Sequence, residues 1–162
     1  MEKKDKETPP EVIAAALSVF FDKESKKIST RLETARPIVN GVDTNGAVVR
    51  KRQQILHLEE RQAELDHISS FVLKVITSTT QTSEIPSIGY YFVGKLDEID
   101  LEIKRIQSHP HGVIFEQGVV KGRSQELKHL AIIRSDMLRV GNYVLGLLGE
   151  PPLVDEKNPA TV

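Results

Sequence analysis

The chain has 162 residues, with 22 Lys plus Arg against 23 Asp plus Glu, five Phe, three Tyr, no Trp and no Cys. That length suits one domain, and a net charge of −1 argues against a protein that coats a polyanion, which needs an excess of cations on one face. The absence of Cys excludes disulfide scaffolds and thiolate metal sites and fits a reducing compartment, while the scarcity of aromatics leaves Leu, Ile and Val to fill a core, as they do in helical bundles.

In chain order, residues 1–8 are charged, lack the apolar run of a signal peptide, and are expected to be disordered. Thr8-Pro9-Pro10-Glu11 reads as a helix start: Thr8 can cap, proline suits the first turn, and Glu11 stands where a capping box places its acid. Ile13, Leu17, Phe20, Phe21, Ile28, Leu32 and Ala35 share one broad face of a helix over about 9–36, which Pro37 ends. Asn40-Gly41 and Asn45-Gly46 mark a loop.

A second helix spans about 46–78. Val48, Ile55, Leu58, Leu65, Val72 and Ile76 form an apolar seam in alternating steps of three and four, flanked by Ile68, Phe71 and Val75, with charged residues between. This spacing predicts coiled-coil packing. At 1.5 Å per residue the helix is roughly 45 Å long. Unequal helix lengths are therefore expected to leave part of the seam uncovered within one chain. Each exposed Leu or Ile forgoes about 1.5–3 kcal/mol, a drive to associate with other helical chains.

A polar break at 77–85, closed by Pro86, precedes a third helix over about 87–108, lined by Ile85, Ile88, Phe92, Leu96, Ile99, Ile103 and Ile106. Asp97, Glu98, Asp100 and Glu102 read as its solvated side. His109-Pro-His-Gly112 ends it, and 109–123 reads as a loop in which residues 113–122 form either a short extended piece or an early helical turn. A fourth helix over about 124–149 carries Gly141, Gly146 and Gly149, which either admit a close neighbour or mark fraying. Pro151-Pro152 stops it, and 150–162 reads as a disordered tail. The most apolar stretch, Leu138 to Gly149, is too short to span a membrane. The fold class is thus all-α: about four extended amphipathic helices in a coiled-coil or bundle assembly, with 9–108 grouped as three coiled-coil helices.

Little points to chemistry. His109 and His111 lack nearby Cys or carboxylate to complete a ligand set. His57 and His67 are ten apart on a helix, not the four-residue step of a metal pair. No nucleophile elbow surrounds a serine, and Gly112, Gly118, Lys121 and Gly122 lack the order of a phosphate loop. Arg50-Lys51-Arg52 reads as a solvated helix start rather than a nucleic-acid contact. The chain is read as non-enzymatic, with no catalytic, metal or cofactor-binding residues, no cofactor and no small-molecule substrate. The candidate partner-helix positions are Phe21, Ile28, Ile55, Leu58, Leu65, Val72, Ile76, Phe92, Ile99 and Ile103.

Two segments resemble one known family. Pro9-Pro10 followed by Phe21, Lys23, Lys26, Ile28, Ser29 and Leu32, and Pro86 followed by Tyr91-Phe92, Leu96, Ile99, Asp100, Leu101, Glu102 and Ile103, are similar to the helical region of the fifty-eight-kilodalton channel nucleoporins. Glu64-Leu65 and the polar break fall about where that family has them, and the last helix matches in character only. The resemblance implies a coiled-coil heterotrimer with two other channel nucleoporins at the nuclear pore, in nucleocytoplasmic transport. It also implies flanking Phe-Gly repeats, whereas this chain holds no Phe-Gly dipeptide. The rival expectations are an unrelated intracellular helical assembly part (a tether, kinetochore-type or viral structural subunit) and a self-contained ligand-binding bundle.

Overall fold

The computed structural model describes residues 8–36, 47–81, 85–116 and 119–154, with the backbone alone for 47–49 and 119. Among these it shows an all-α chain: α1 Pro10–Ala35, α2 Ala47–Thr77, α3 Gly89–Gln107 and α4 Arg123–Leu147, with two short strands, β1 Val113–Glu116 and β2 Val119–Gly122, between the last two helices. The expectations for 1–7, for the Asn-Gly loop with Pro37, for residues 82–84 and for 155–162 lie outside the described residues. The chain divides into two compact units, Met1–Pro86 and Ser87–Val162. The division falls at Pro86, so the third helix belongs with the fourth and not with the first two.

In the first unit, α1 begins with Pro9 as N-cap and Pro10 in the first turn. Proline has no N–H to leave unsatisfied there, so the turn forms without a side-chain cap bond from the N-cap residue. Thr8, expected as the cap, lies one residue too early. Pro10, Ile13, Leu17, Phe21, Glu24, Ile28, Leu32 and Ala35 are the buried positions of α1. Their steps run three, four, four and repeat after eleven residues. An eleven-residue period is about 3.67 residues per turn, close to an unsupercoiled helix, whereas the heptad expected from sequence imposes a left-handed supercoil.

α2 lies antiparallel to α1. The Gln62 amide donates to Ser25 Oγ at 2.9 Å, and Arg36, just past the end of α1, reaches Glu59 at 3.5 Å. Leu58, Leu65, Ile68, Val72 and Ile76 of α2 are buried. Val48 lies outside the described side chains.

In the second unit, α3 and α4 are antiparallel. Asp100 Oδ1 accepts from Arg134 Nε at 2.9 Å, and a Cβ placed on Gly141 would stand 3.0 Å from the Phe92 ring. Towards the chain-connecting end, Ile106, Ile114 and Leu130 form a buried cluster flanked by Ile103 and Leu127. Ile114 comes from β1, which pairs antiparallel with β2 in the register Ile114↔Lys121 and Phe115↔Val120. The stretch 113–122, open between a short extended piece and an early helical turn, is thus extended and paired as a hairpin, tied to the start of α4 by the Arg123 amide on the Gly112 carbonyl at 2.9 Å.

The other end is closed by residues read as tail. Leu153 is 6% exposed, its amide donates to Asn142 Oδ1 at 2.6 Å, and its methyl group lies 2.7 Å from a Cβ position on Gly141. Gly141 thus admits a close neighbour. Gly149, at φ +69, ends α4: its amide bonds the Gly146 carbonyl and the Glu150 amide bonds that of Leu145. That pair of hydrogen bonds is a Schellman stop, and it turns Pro151-Pro152 and Leu153 back along the helix.

Candidate docking site

The ten candidate partner-helix positions fall mostly in the chain's own interior. Phe21, Ile28, Leu58, Leu65, Val72 and Ile76 are buried in the first unit, Phe92 and Ile99 in the second, and Ile55 and Ile103 are half-buried. The α1–α2 pair closes the seam from Leu58 to Ile76, while Ile55 is half-buried and Val48 lies outside the described side chains. The physical reason is the antiparallel return: 26 residues of α1 run back along all but the first turn or so of the 31 residues of α2. Glu24 shares the buried stripe, with Lys27 Nζ on its Oε1 at 3.0 Å. A charged residue in such a stripe favours one register over its neighbours.

Surface capable of recognition is concentrated in the second unit. The outer face of the hairpin presents Val113, Phe115 and Val120 at 57%, 72% and 56% exposure, while Ile114 points inward. Strand alternation produces this split, since successive side chains leave opposite faces. The hairpin is clamped to α3 by Arg105, whose Nε donates to Glu102 Oε2 at 2.9 Å and whose Nη2 reaches Glu116 Oε2 at 3.2 Å. The Arg105 hydrogen bonds hold both carboxyls below the ordinary range and raise the guanidinium further.

At the opposite end of the same unit, α3, α4 and the 150–154 strap enclose a groove of about 410 Å³. Tyr90, 84% exposed, and Val93 stand on its α3 side, and Pro151, Pro152 and Val154 on its strap side. Leu96, Leu145 and Leu153 form its apolar floor, while Asp97, Asp100, Arg134 and Glu150 supply its charge. Burial gives Asp100 and Arg134 a structural role, so the acidic run Asp97–Glu102 is not uniformly a solvated face. Asp100 turns to α4 and Glu102 to Arg105, while Asp97 and Glu98 stay exposed.

His109 Nδ1 faces the backbone of His111, and no group of three or more His, Asp or Glu placed to hold a metal occurs among the described residues. No described helix is long and apolar enough to cross a membrane. The hairpin face and the strap groove were missed in the sequence. Val-Ile-Phe and Val-Val on either side of Gln117-Gly118 are the signal for the first. Leu153-Val154 after a proline pair is the faint signal for the second.

No protein-family model, curated protein or solved structure matches this chain.

Proposed function

We infer that the chain is a non-enzymatic structural subunit of a hetero-oligomeric helical assembly, and that it docks on its partner through the outer face of the β1–β2 hairpin. The observation that carries this reading is the exposure of Val113, Phe115 and Val120 on one face of a two-stranded ribbon. Two strands alone are marginal in water, and covering the open face would stabilise them. Burying these three side chains contributes about 1.5–3 kcal/mol each. The closed α1–α2 stripe supports association through outer surfaces rather than through an opened seam.

The finer reading places this subunit in the central channel of the nuclear pore, in nucleocytoplasmic transport, with channel nucleoporins as its coiled-coil partners. It rests on the resemblance at Pro9–Leu32 and Pro86–Ile103 alone.

Affinity purification at native abundance tests both levels. Phe115→Ser with Val120→Thr should leave the far-ultraviolet dichroism and thermal midpoint unchanged and release the co-purifying partner. An unchanged complex in that double variant overturns the hairpin reading. Channel nucleoporins in the wild-type eluate support the finer assignment. An eluate that holds other helical proteins and lacks them removes the nuclear pore and leaves the assembly role.

A further inference from the structure

We propose that the groove between α3, the end of α4 and the 150–154 strap is a second, independent docking site, and that it receives a short amphipathic protein segment pairing an apolar side chain with Lys or Arg.

Shape points to a chain segment. Tyr90, Val93 and Asp97 are spaced three and four along α3, so they line one edge over roughly 10 Å at 1.5 Å per residue. The groove is open along that edge and floored by Leu96, Leu145 and Leu153, which suits an extended or helical segment laying one apolar side chain inward. Its volume, about 410 Å³, accommodates a large side chain with its neighbours.

Charge selects the segment. Three carboxylates line the groove against the single guanidinium of Arg134, and that guanidinium is engaged with Asp100. Asp97 stands exposed at the rim. Glu150 Oε2 is shielded from solvent and, among the described residues, has no hydrogen-bond donor. A shielded carboxylate oxygen without a donor is costly, and a cation arriving beside it lowers that cost. The groove therefore repels acidic segments and favours a basic one, with Tyr90 offering a ring face to the same cation.

The test uses the full chain and two synthetic eighteen-residue amphipathic peptides identical in their Leu stripe, one flanked by Lys and the other by Glu. Titration followed by amide chemical shifts should place the Lys peptide at Tyr90, Val93, Leu145 and Val154, with the Glu peptide at least about tenfold weaker. Asp97→Lys, at an exposed position with no partner among the described residues, should weaken the Lys peptide about fivefold and strengthen the Glu peptide. Phe115→Ser should leave both titrations unchanged, so failure here and failure of the hairpin reading are distinguishable. Equal binding of the two peptides, shifts confined to another surface, or no shifts at millimolar peptide would each overturn the proposal. So would tight binding of free spermidine at the same residues, which would assign the groove to small polyamines.

Discussion

The two units pair antiparallel helices and finish the job differently. α1 and α2, of 26 and 31 residues, meet along a buried stripe that runs the length of α1 with an eleven-residue period and takes in Leu58 to Ile76 of α2. α3 and α4, of 19 and 25 residues, are shorter, and their stripe is interrupted on the α4 side between Leu130 and Met137, where Arg134 turns to Asp100. A short, interrupted helix pair leaves both of its ends open, and here the β1–β2 hairpin covers one end and Leu153 the other. Added pieces of this kind have two faces, and only one can turn inward. The outer face of the hairpin and the groove under the strap are the consequence. A continuous stripe satisfies a helix pair completely; a patched one leaves surface with something to recognise.

The harshest way to break that comparison is a charge in the continuous stripe. Val72→Asp places a carboxylate at a fully buried position and should destabilise the first unit by more than about 4 kcal/mol. Hydrogen exchange should show protection lost throughout α1 and α2 and kept in α3 and α4. Loss of protection in both pairs would mean that the two are one cooperative unit. For the same reason, an acidic substitution at Leu58 or Leu65 tests folding before it tests partner binding.

Phe92→Ala is the matching lesion in the second unit. Its fully buried ring lies against Gly141, and its removal should cost about 3–5 kcal/mol by chemical denaturation. Because the strap rests on the same spot, Leu153 should lose protection with α3. If Leu153 kept its protection, the strap would be held by Asn142 alone.

These lesions also mark what could be read from sequence. The stripe positions Leu58, Leu65, Val72, Phe92 and Ile99 were legible because apolar periodicity records burial directly, and helix ends came within two residues or so because proline and Asn-Gly mark where a helix stops. What periodicity does not record is the occupant of the facing surface. The stripe of α2 reads the same whether it meets α1 or another chain, so periodicity alone does not separate positions closed internally from an interface. The hairpin was hidden because four-residue strands give too few alternations to distinguish them from a loop. Asp100 and Arg134 are 34 residues apart, and nothing local says that an acid in a charged run has turned inward. Leu153 followed a proline pair, which is a stop signal for a helix but says nothing about where the chain goes next.

A middle-sized effect tests the break in the second stripe. Arg134→Ala leaves Asp100 partly buried opposite a void and should cost about 1–3 kcal/mol. Arg134→Leu together with Asp100→Ala should recover most of that loss, since apolar contacts then replace the part-buried charges. A double variant as unstable as the single one would show that the break is needed for packing and is not merely tolerated.

The smallest effect separates the hairpin from the helices it covers. Arg105 holds Glu102 and Glu116 below their ordinary carboxyl range through its hydrogen bonds. A depressed folded value means that the clamp's contribution is complete above the unfolded carboxyl range, about pH 4.3, and is lost as pH falls through the lowered values. The groups lie at the surface, where solvent and salt screen them, so the contribution is small. Acidification below about pH 4 should therefore loosen β1 and β2, seen as faster amide exchange at Phe115 and Val120, before either helix pair melts. Arg105→Gln should produce the same local loosening at neutral pH and abolish its pH dependence. If that variant instead lowered the stability of α3 and α4 as a whole, the hairpin would be part of the helical core, and the contrast between a complete pair and a patched one would fail.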